Sequence, residues 1–400
     1  MTKTENVLIL GGGFGGVKAA LDLCKDERFR VTLLSDSPEL RYYPTLYHTA
    51  TGGKRANSSI PLERIFQDSN IDIVRGYAQT VDRRNKIVTT SDGKTHEYDT
   101  LIIGLGVTTN YFGIDGLADY SYTIKTQEET QRFKDHLHKQ LIDQKKPDLN
   151  YVIVGAGPTG IELAGALPEY IRKLMTCHGI KKRKIHIDLI EAAPRLLPRL
   201  PKSVSRQVKR RLKRLGIKLY VGSTVQAQTA DELIVNGKAI RSHTVVWTAG
   251  VTNHHFFADN HFVLMARGKV AVDTYLQTED NIFVIGDNAN TPYSGQAQTA
   301  LLDGAFVAHN LKRRANGKDM NSYKAVRPVT VIPAGPHWAA VIWGRAKFHG
   351  FMGWLVREAA DFVGFNHLES YVTATKQFMT EFDTEENCEV CAISQASKAR

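Results

Sequence analysis

Two short segments constrain this chain more than any others. Val7-Leu-Ile-Leu10 runs straight into Gly11-Gly12-Gly13-Phe14-Gly15-Gly16, and Tyr151-Val-Ile-Val154 runs into Gly155-Ala156-Gly157-Pro158-Thr159-Gly160. Each pairs a strand-like apolar run with glycines spaced as G-x-G-x-x-G and an alanine-containing helical segment. The spacing has a physical reason. The first glycine permits a tight turn, the second lets the backbone approach a pyrophosphate, and the third lets helix pack on strand. The free N–H groups and the positive helix end then face the phosphates. A strand, the glycines and a helix coincide twice, so the pattern predicts two nucleotide-binding modules.

Strand-like runs alternate with amphipathic segments throughout, the pattern of parallel sheets with crossover helices. The expected fold class is α/β: two Rossmann-like dinucleotide-binding domains plus a C-terminal amphipathic helical region. Leu101-Ile-Ile-Gly-Leu-Gly106 reads as the strand leaving the first module, and Val245-Val-Trp-Thr-Ala-Gly250 does the same for the second. Asn281-Ile-Phe-Val-Ile-Gly286-Asp287 then returns to the first module. The first domain is therefore expected to be discontinuous, over 1–115 and 252–327, with the second inserted at 116–251. Residues 328–400 form a third region, opening on a strand near Val329–Ala334 and followed by two amphipathic segments and a polar tail.

Carboxylates at strand ends refine the reading. Glu191 closes Ile187-Asp-Leu-Ile-Glu191 and is placed to accept from a ribose 2′-hydroxyl and to repel a 2′-phosphate, which favours NADH over NADPH. Arg195 nearby is the one residue that argues the other way. In the first module Ser35 and Asp36 follow the corresponding strand, and either fits the ribose role. Asp287 is placed to accept from a polyol such as the ribityl chain of a flavin. A helix starting near Ala297-Gln298 ends in Lys312, Arg313 and Arg314, so its N-terminus is free to face an anion.

Composition narrows the class. At 400 residues and 42% hydrophobic the chain has room for two or three cores. Four cysteines, Cys24, Cys177, Cys388 and Cys391, form no disulfide framework, and Cys388-Glu-Val-Cys391 lacks a second pair that would complete a metal site. No metal is expected. The residues ahead of Val7 leave no room for a signal peptide, and no run of 18 apolar residues predicts a membrane-spanning helix. The net charge of +11 comes largely from Lys181 to Lys184 and from Arg206, Lys209, Arg210, Arg211, Lys213 and Arg214. A solvated helix face or an anionic membrane surface fits that cluster; no nucleic-acid motif accompanies it.

The two fingerprints, Thr278-Glu-Asp-Asn-Ile-Phe-Val-Ile-Gly-Asp287 and Ala297-Gln298 together resemble the two-dinucleotide-binding flavoproteins over roughly residues 5–345. Pro44-Thr45, Gly157-Pro-Thr-Gly-Ile-Glu162 and Ala297-Gln298-Thr-Ala300 resemble the type II NADH dehydrogenases, single-chain NADH:quinone oxidoreductases attached to one membrane face. The resemblance implies FAD in the first module, near Gly12 to Gly16, Ser35 or Asp36, Thr45, Ala78, Asp287, Ala297 and Gln298, and NADH in the second. Gly106, Gly250 and Gly286, at the ends of flanking strands, complete the candidate cofactor contacts. Glu162 becomes the candidate active-site carboxylate, with an ordinary first-turn glutamate as the plainer reading, and Gln298 the candidate acceptor-side residue. It also implies a quinone acceptor, no proton pumping, and a peripheral position on the cytoplasmic face of the cell membrane.

The sequence departs from this family where a second glutamine usually follows Ala-Gln-x-Ala-x, because Leu302 stands there. One hydrogen-bond partner for a quinone carbonyl is thereby lost. In the C-terminal region Phe351, Met352, Leu355, Val356, Ala359, Phe362 and Val363 form one helical face with Arg357 and Asp361 opposite. A membrane-interface helix and a homodimer or core contact both fit that face. Tyr371, Thr375, Phe378 and Phe382 continue at helical spacing.

Four other functions share the fold. Disulfide reductases need a close cysteine pair beside the flavin, whereas Cys24 stands alone on its helical segment; sulfide:quinone oxidoreductases also depend on cysteines near the flavin ring, for which only Cys177 is a candidate. A soluble NADH-dependent flavoprotein with a non-quinone acceptor fits Leu302 and the short C-terminal anchor. A redox sensor that binds NADH without turnover would use the same cradles.

Overall fold

The computed structural model describes residues 4–142, 148–181, 183–369 and 371–380. Cys388, Cys391, Phe382 and Lys182 lie outside the described residues.

The chain opens with β1 (Glu5–Leu10), α1 (Phe14–Leu23), β2 (Phe29–Ser35), β3 (Ile71–Arg75) and β4 (Thr100–Ile103). A second unit follows: α2 (Gln127–Ile142), β5 (Asn150–Val154), α3 (Pro158–Cys177), β6 (His186–Glu191), α4 (Lys202–Arg214), β7 (Lys218–Val221) and β8 (Thr244–Trp247). The chain then forms β9 (Gln277–Glu279), β10 (Ile282–Val284) and α5 (Ala297–Ala315). It finishes with β11 (Thr330–Pro333), β12 (Ala339–Trp343), β13 (Ala346–Gly350), α6 (Phe351–Asn366) and α7 (Tyr371–Thr380).

Two sheets organise these elements. The first runs β9–β10–β4–β1–β2–β3, and the second runs β7–β6–β5–β8. Every pairing is parallel except β9 with β10. Val107–Thr109, leaving the first sheet, pairs antiparallel with Val251–Asn253, which returns to it. The second sheet is thus threaded between two adjacent connections.

The central strands carry continuous apolar runs, residues 7–10 in β1 and 151–154 in β5, because both faces are covered there. On β1, Val7 and Ile9 join the core under α1 and α5, while Leu8 and Leu10 join a separate core with Phe256, Phe257 and Tyr98. On β5, Tyr151 and Ile153 face the α3 core, and Val152 and Val154 face another with Leu117 and Trp247. Alternate side chains therefore stabilise opposite layers, each fully buried aliphatic contributing about 1.5–3 kcal/mol.

Close helix contact completes the first layer. A Cβ on Gly304 of α5 would collide with the Gly15 carbonyl of α1, so these two helices meet backbone to backbone. Gly15 therefore packs the two helices together, a role beyond the cofactor contact expected of it.

The C-terminal region departs from expectation. The predicted strand is present as β11, but β12 and β13 follow and build a three-stranded antiparallel sheet. Trp343 pairs with Ala346, leaving Gly344-Arg345 as a two-residue turn. On α6 the amphipathic pattern points the other way from a core helix. Phe351 and Met352 are 58% and 63% exposed, whereas Arg357 and Asp361 are only 7% and 4% exposed. The apolar face is open and the charged face is inside.

Candidate active site

The two glycine turns are built alike. Gly11 and Gly155 have φ of +108° and +106°, a region that side chains rarely adopt. The Gly11 N–H donates to the Leu34 carbonyl at 2.8 Å, and the Gly155 N–H donates to Ile190 at 2.8 Å. A Cβ on Gly16 would run into the Gly11 carbonyl, and one on Gly160 into the Gly155 carbonyl. The first and third glycines are thus demanded by the protein's own packing.

The middle glycines are not. A Cβ at Gly13 or Gly157 would meet nothing within 4 Å. Both cap their helices in extended backbone, with φ of −85° and −73°. Nothing in the fold excludes a side chain there, so the need for glycine comes from outside it. Open space at a helix N-terminus with unpaired N–H donors fits a pyrophosphate, and the turns therefore fit the two dinucleotides implied by the sequence.

The carboxylates at the strand ends support that fit. Glu191 Oε2 accepts the Ala156 N–H at 2.8 Å, and Oε1 accepts the Ala193 N–H at 2.8 Å, holding the carboxylate against the second turn. Arg195 is engaged by the carbonyls of Leu197, Pro198 and Leu200, so its guanidinium serves the loop. By strand register Ser35 stands in the first module where Glu191 stands in the second. It is buried, and a Cβ on Gly12 would come within 2.6 Å of its hydroxyl. Asp36 is exposed and pairs with Arg41 at 3.2 Å.

Asp287 lies just past β10, ahead of the start of α5. Burial raises its pKa, opposed by Lys269, Gly295 and Lys125. Gly286 has φ of +65°, and its N–H donates to Asp303 at 3.0 Å. Asp303 also accepts from the Tyr323 hydroxyl at 2.6 Å, and burial pushes it up to about 6. Sequence reading missed this buried acid because its partners are remote in the chain. Gly106 is clamped by Asn288, which accepts its N–H at 2.9 Å and donates to its carbonyl at 2.6 Å.

Some predicted contacts serve the fold itself. Phe14 is buried edge-on to Tyr42 at 5.4 Å. The Thr45 hydroxyl donates to the Asn57 carbonyl at 2.6 Å, Ala78 is buried in the strand Ala78–Asp82, and Gly250 makes room for the Phe112 ring. Thr159 is exposed on the first turn of α3, and Ala297 begins α5.

Glu162, also on the first turn of α3, is enclosed on most sides and keeps some surface open. Burial pushes its carboxyl up to about 7, opposed by Arg357 and reinforced by Asp361. Both groups come from the buried face of α6. Arg357 is ion-paired to Asp361 and donates to the Pro44 carbonyl at 2.7 Å. The Tyr42 hydroxyl reaches Asp361 Oδ1 at 3.3 Å, and its ring stacks on Phe365 at 4.3 Å. His48, whose pKa burial lowers with Arg357 adding to the effect, completes the cluster. Sequence reading had Arg357 and Asp361 facing away from the apolar stripe, but not that their charges act on Glu162.

Gln298 is exposed, and its Oε1 accepts the Val329 N–H at 3.1 Å, just ahead of β11. The other end of that strand meets α3, where a Cβ on Gly165 would collide with Ala334 and Gly335. Gln298 and Gly165, about one turn past Glu162, therefore contact opposite ends of one strand. Leu302 is exposed one turn beyond Gln298. Cys177 is 15 residues after Glu162 on α3, roughly 22 Å along the helix. Cys24 lies just past the far end of α1, so among the described residues no cysteine accompanies the glycine turns.

Fold and site together define a two-dinucleotide-binding oxidoreductase. Residues 5–304 match the pyridine nucleotide-disulphide oxidoreductase family, and the chain belongs to it. Among curated relatives, the type II NADH:quinone oxidoreductase of Staphylococcus haemolyticus (strain JCSC1435) is 26% identical over 366 residues, covering 85% of this chain and 90% of the relative. That of Staphylococcus aureus (strain NCTC 8325 / PS 47) is 28% identical over 357 residues, covering 83% and 88%. In fold, the chain resembles NDH2 from Plasmodium falciparum in complex with NADH, with a TM-score of 0.83, 18% identity and coverage of 95% and 98%. It also resembles the sulfide:quinone oxidoreductase of Aquifex aeolicus, with a TM-score of 0.77, 22% identity and coverage of 96% and 98%.

Proposed function

We propose that this chain is an FAD-dependent NADH:quinone oxidoreductase of the type II, non-pumping kind. The observation that carries the reading is the pair of open middle glycines, Gly13 and Gly157, in two turns otherwise fixed by packing. FAD, when bound, supplies the two-electron relay between nicotinamide and acceptor. The residues supply the rest. The turn from Gly11 to Gly16, with Ser35 or Asp36 and Asp287, holds FAD; the turn from Gly155 to Gly160, with Glu191, holds NADH. Glu191 selects against a 2′-phosphate, and Arg195 is too engaged to attract one. Glu162, poised near neutrality beside Arg357, holds or releases a proton at its carboxyl where the two units meet. Gln298 presents an amide on the acceptor side, and Leu302 makes that side more apolar than in relatives with a second glutamine.

The division into 1–115 with 252–327, 116–251 and 328–400 fits this reading, with the last region bounding the acceptor side. The exposed face of α6 and α7, including Phe351, Met352, Leu355, Val363, Tyr371 and Val372, suits the interface of a membrane, where a quinone dissolves. Among the described residues no helix is long and apolar enough to cross a membrane. We assign the protein to the cytoplasmic face as a peripheral enzyme, with a homodimer contact as the competing use of that face. The position of Cys177 disfavours the sulfide-oxidising alternative. Steady-state oxidation of NADH by a water-soluble quinone tests the function. Quinone-dependent loss of NADH, with NADPH much slower, is expected; NADH loss to oxygen alone would favour a soluble oxidase, and no loss a sensor.

A further inference from the structure

Lys125 belongs to none of the roles above. It precedes α2 in a segment anchored to the second sheet, where the Trp247 N–H donates to the Tyr122 carbonyl at 2.8 Å. Thr126 and Glu129 form a capping box at the start of α2. The Glu129 N–H donates to Thr126 Oγ1 at 3.1 Å, while Glu129 Oε2 accepts the N–H groups of Lys125 and Thr126 at 2.7 and 3.3 Å. The backbone of Lys125 is thereby fixed.

Its side chain is the anomaly. Nζ is shut off from solvent and has no hydrogen-bond partner among the described residues. Two acids act on its charge, Glu129 and Asp287. Glu129 is already committed to the helix cap, which leaves Asp287. The other lysine acting on Asp287, Lys269, donates to the Asp287 carbonyl at 3.1 Å and to Ser294. Burial pulls Lys125 down to about 8, showing how poorly the protein alone compensates its charge. A buried ammonium with three donors and no acceptor is an incomplete site. Two residues on, Gln127 Nε2 donates to the Ser58 hydroxyl at 2.7 Å, which seats this segment on the first module, and the Asp287 carboxylate that, on the reading above, holds FAD acts on the Lys125 charge.

We propose that Lys125 is a flavin-site residue, its orphaned ammonium, carried by a segment seated on the first module, finding an acceptor in bound FAD and favouring the more negative, reduced ring. The inference rests on FAD occupying the first turn. A hydride adds two electrons and one proton to the neutral ring, leaving one net negative charge. A fixed ammonium nearby is worth more after that step than before it.

The test uses purified holoprotein and the variants Lys125→Met, Lys125→Gln and Lys125→Arg. FAD content per chain is measured, followed by the ratio of reduced to oxidised flavin in equilibrium with a dye of fixed potential. The Met and Gln variants should retain FAD but lower the ratio about tenfold or more, with Arg restoring most of it. An unchanged ratio in Met and Gln overturns the inference. So does weakened FAD retention with an unchanged ratio in the loaded fraction, which would assign Lys125 to the cofactor's phosphates or to Asp287 alone. A wild-type chain that cannot be loaded with FAD overturns the underlying reading as well, and is distinguished from failure of Lys125 alone by that first measurement.

Discussion

Gly13→Ala separates what the fold needs from what the cofactor needs. Gly13 is the N-cap of α1 with φ −85° and ψ −176°, a conformation open to any residue, and its Cβ would meet nothing within 4 Å. Alanine is a poorer N-cap than glycine by a few tenths to about 1 kcal/mol, and the lower entropy of its unfolded chain returns about 0.4–1 kcal/mol. The apoprotein should therefore keep its stability to within about 1 kcal/mol. Binding is another matter, because the added methyl occupies the space through which a phosphate reaches the turn. Losing one charge-assisted hydrogen bond there costs about 1.5–3 kcal/mol, or roughly 10- to 150-fold in FAD affinity. Thermal unfolding of apoprotein and titration of flavin fluorescence measure the two effects separately. Gly16→Ala is the control: its Cβ would collide with the Gly11 carbonyl, so it should lower apoprotein stability as well. A Gly13→Ala protein that binds FAD as tightly as the wild type would refute the argument.

Other outcomes follow from the same geometry. Glu162 titrates near 7 among Arg357, Asp361 and His48, so turnover should show an inflection near pH 7 that Glu162→Gln removes; a profile unchanged by the substitution would exclude the carboxyl from the reaction. Its raised folded pKa means that the native chain binds more protons than the unfolded chain between about 4.5 and 7. Stability from this group therefore falls as pH rises through that window, and Glu162→Gln should flatten the fall in denaturant titrations of apoprotein. Asp361→Ala strands the buried Arg357 and should cost about 3–5 kcal/mol in the same titrations; a loss under 1 kcal/mol would show that water reaches the pair. Replacing Phe351 and Met352 by serine should release the protein from phospholipid vesicles while leaving a water-soluble quinone as acceptor; undiminished co-sedimentation would assign the face to another partner.

The sequence made the parallel sheets legible because strands buried on both faces are apolar at successive positions, as in β1 and β5. The glycine turns were legible for a different reason: their residue types follow from local backbone geometry. What stayed hidden depends on contacts remote in sequence. In the hairpin, Ala339-Ala-Val-Ile-Trp343 of β12 is apolar throughout, but Ala346-Lys-Phe-His-Gly350 of β13 mixes polar and apolar residues, so no pattern marks the pair around the Gly344-Arg345 turn. The stripe on α6 identified a helix with two unlike faces, but only packing against Tyr42 and Pro44 shows that the charged face is inside. Asp303 with Tyr323 and the orphaned Lys125 were equally invisible, since neither pattern nor spacing announces a tertiary partner.

Anaerobic mixing of the purified holoprotein with NADH, followed by a water-soluble quinone, tests the central claim most directly through flavin absorbance. The account predicts that NADH bleaches the flavin band and that the quinone restores it at a rate sufficient for turnover. A band that NADH leaves unbleached, or one that bleaches and is not restored by quinone, would contradict it.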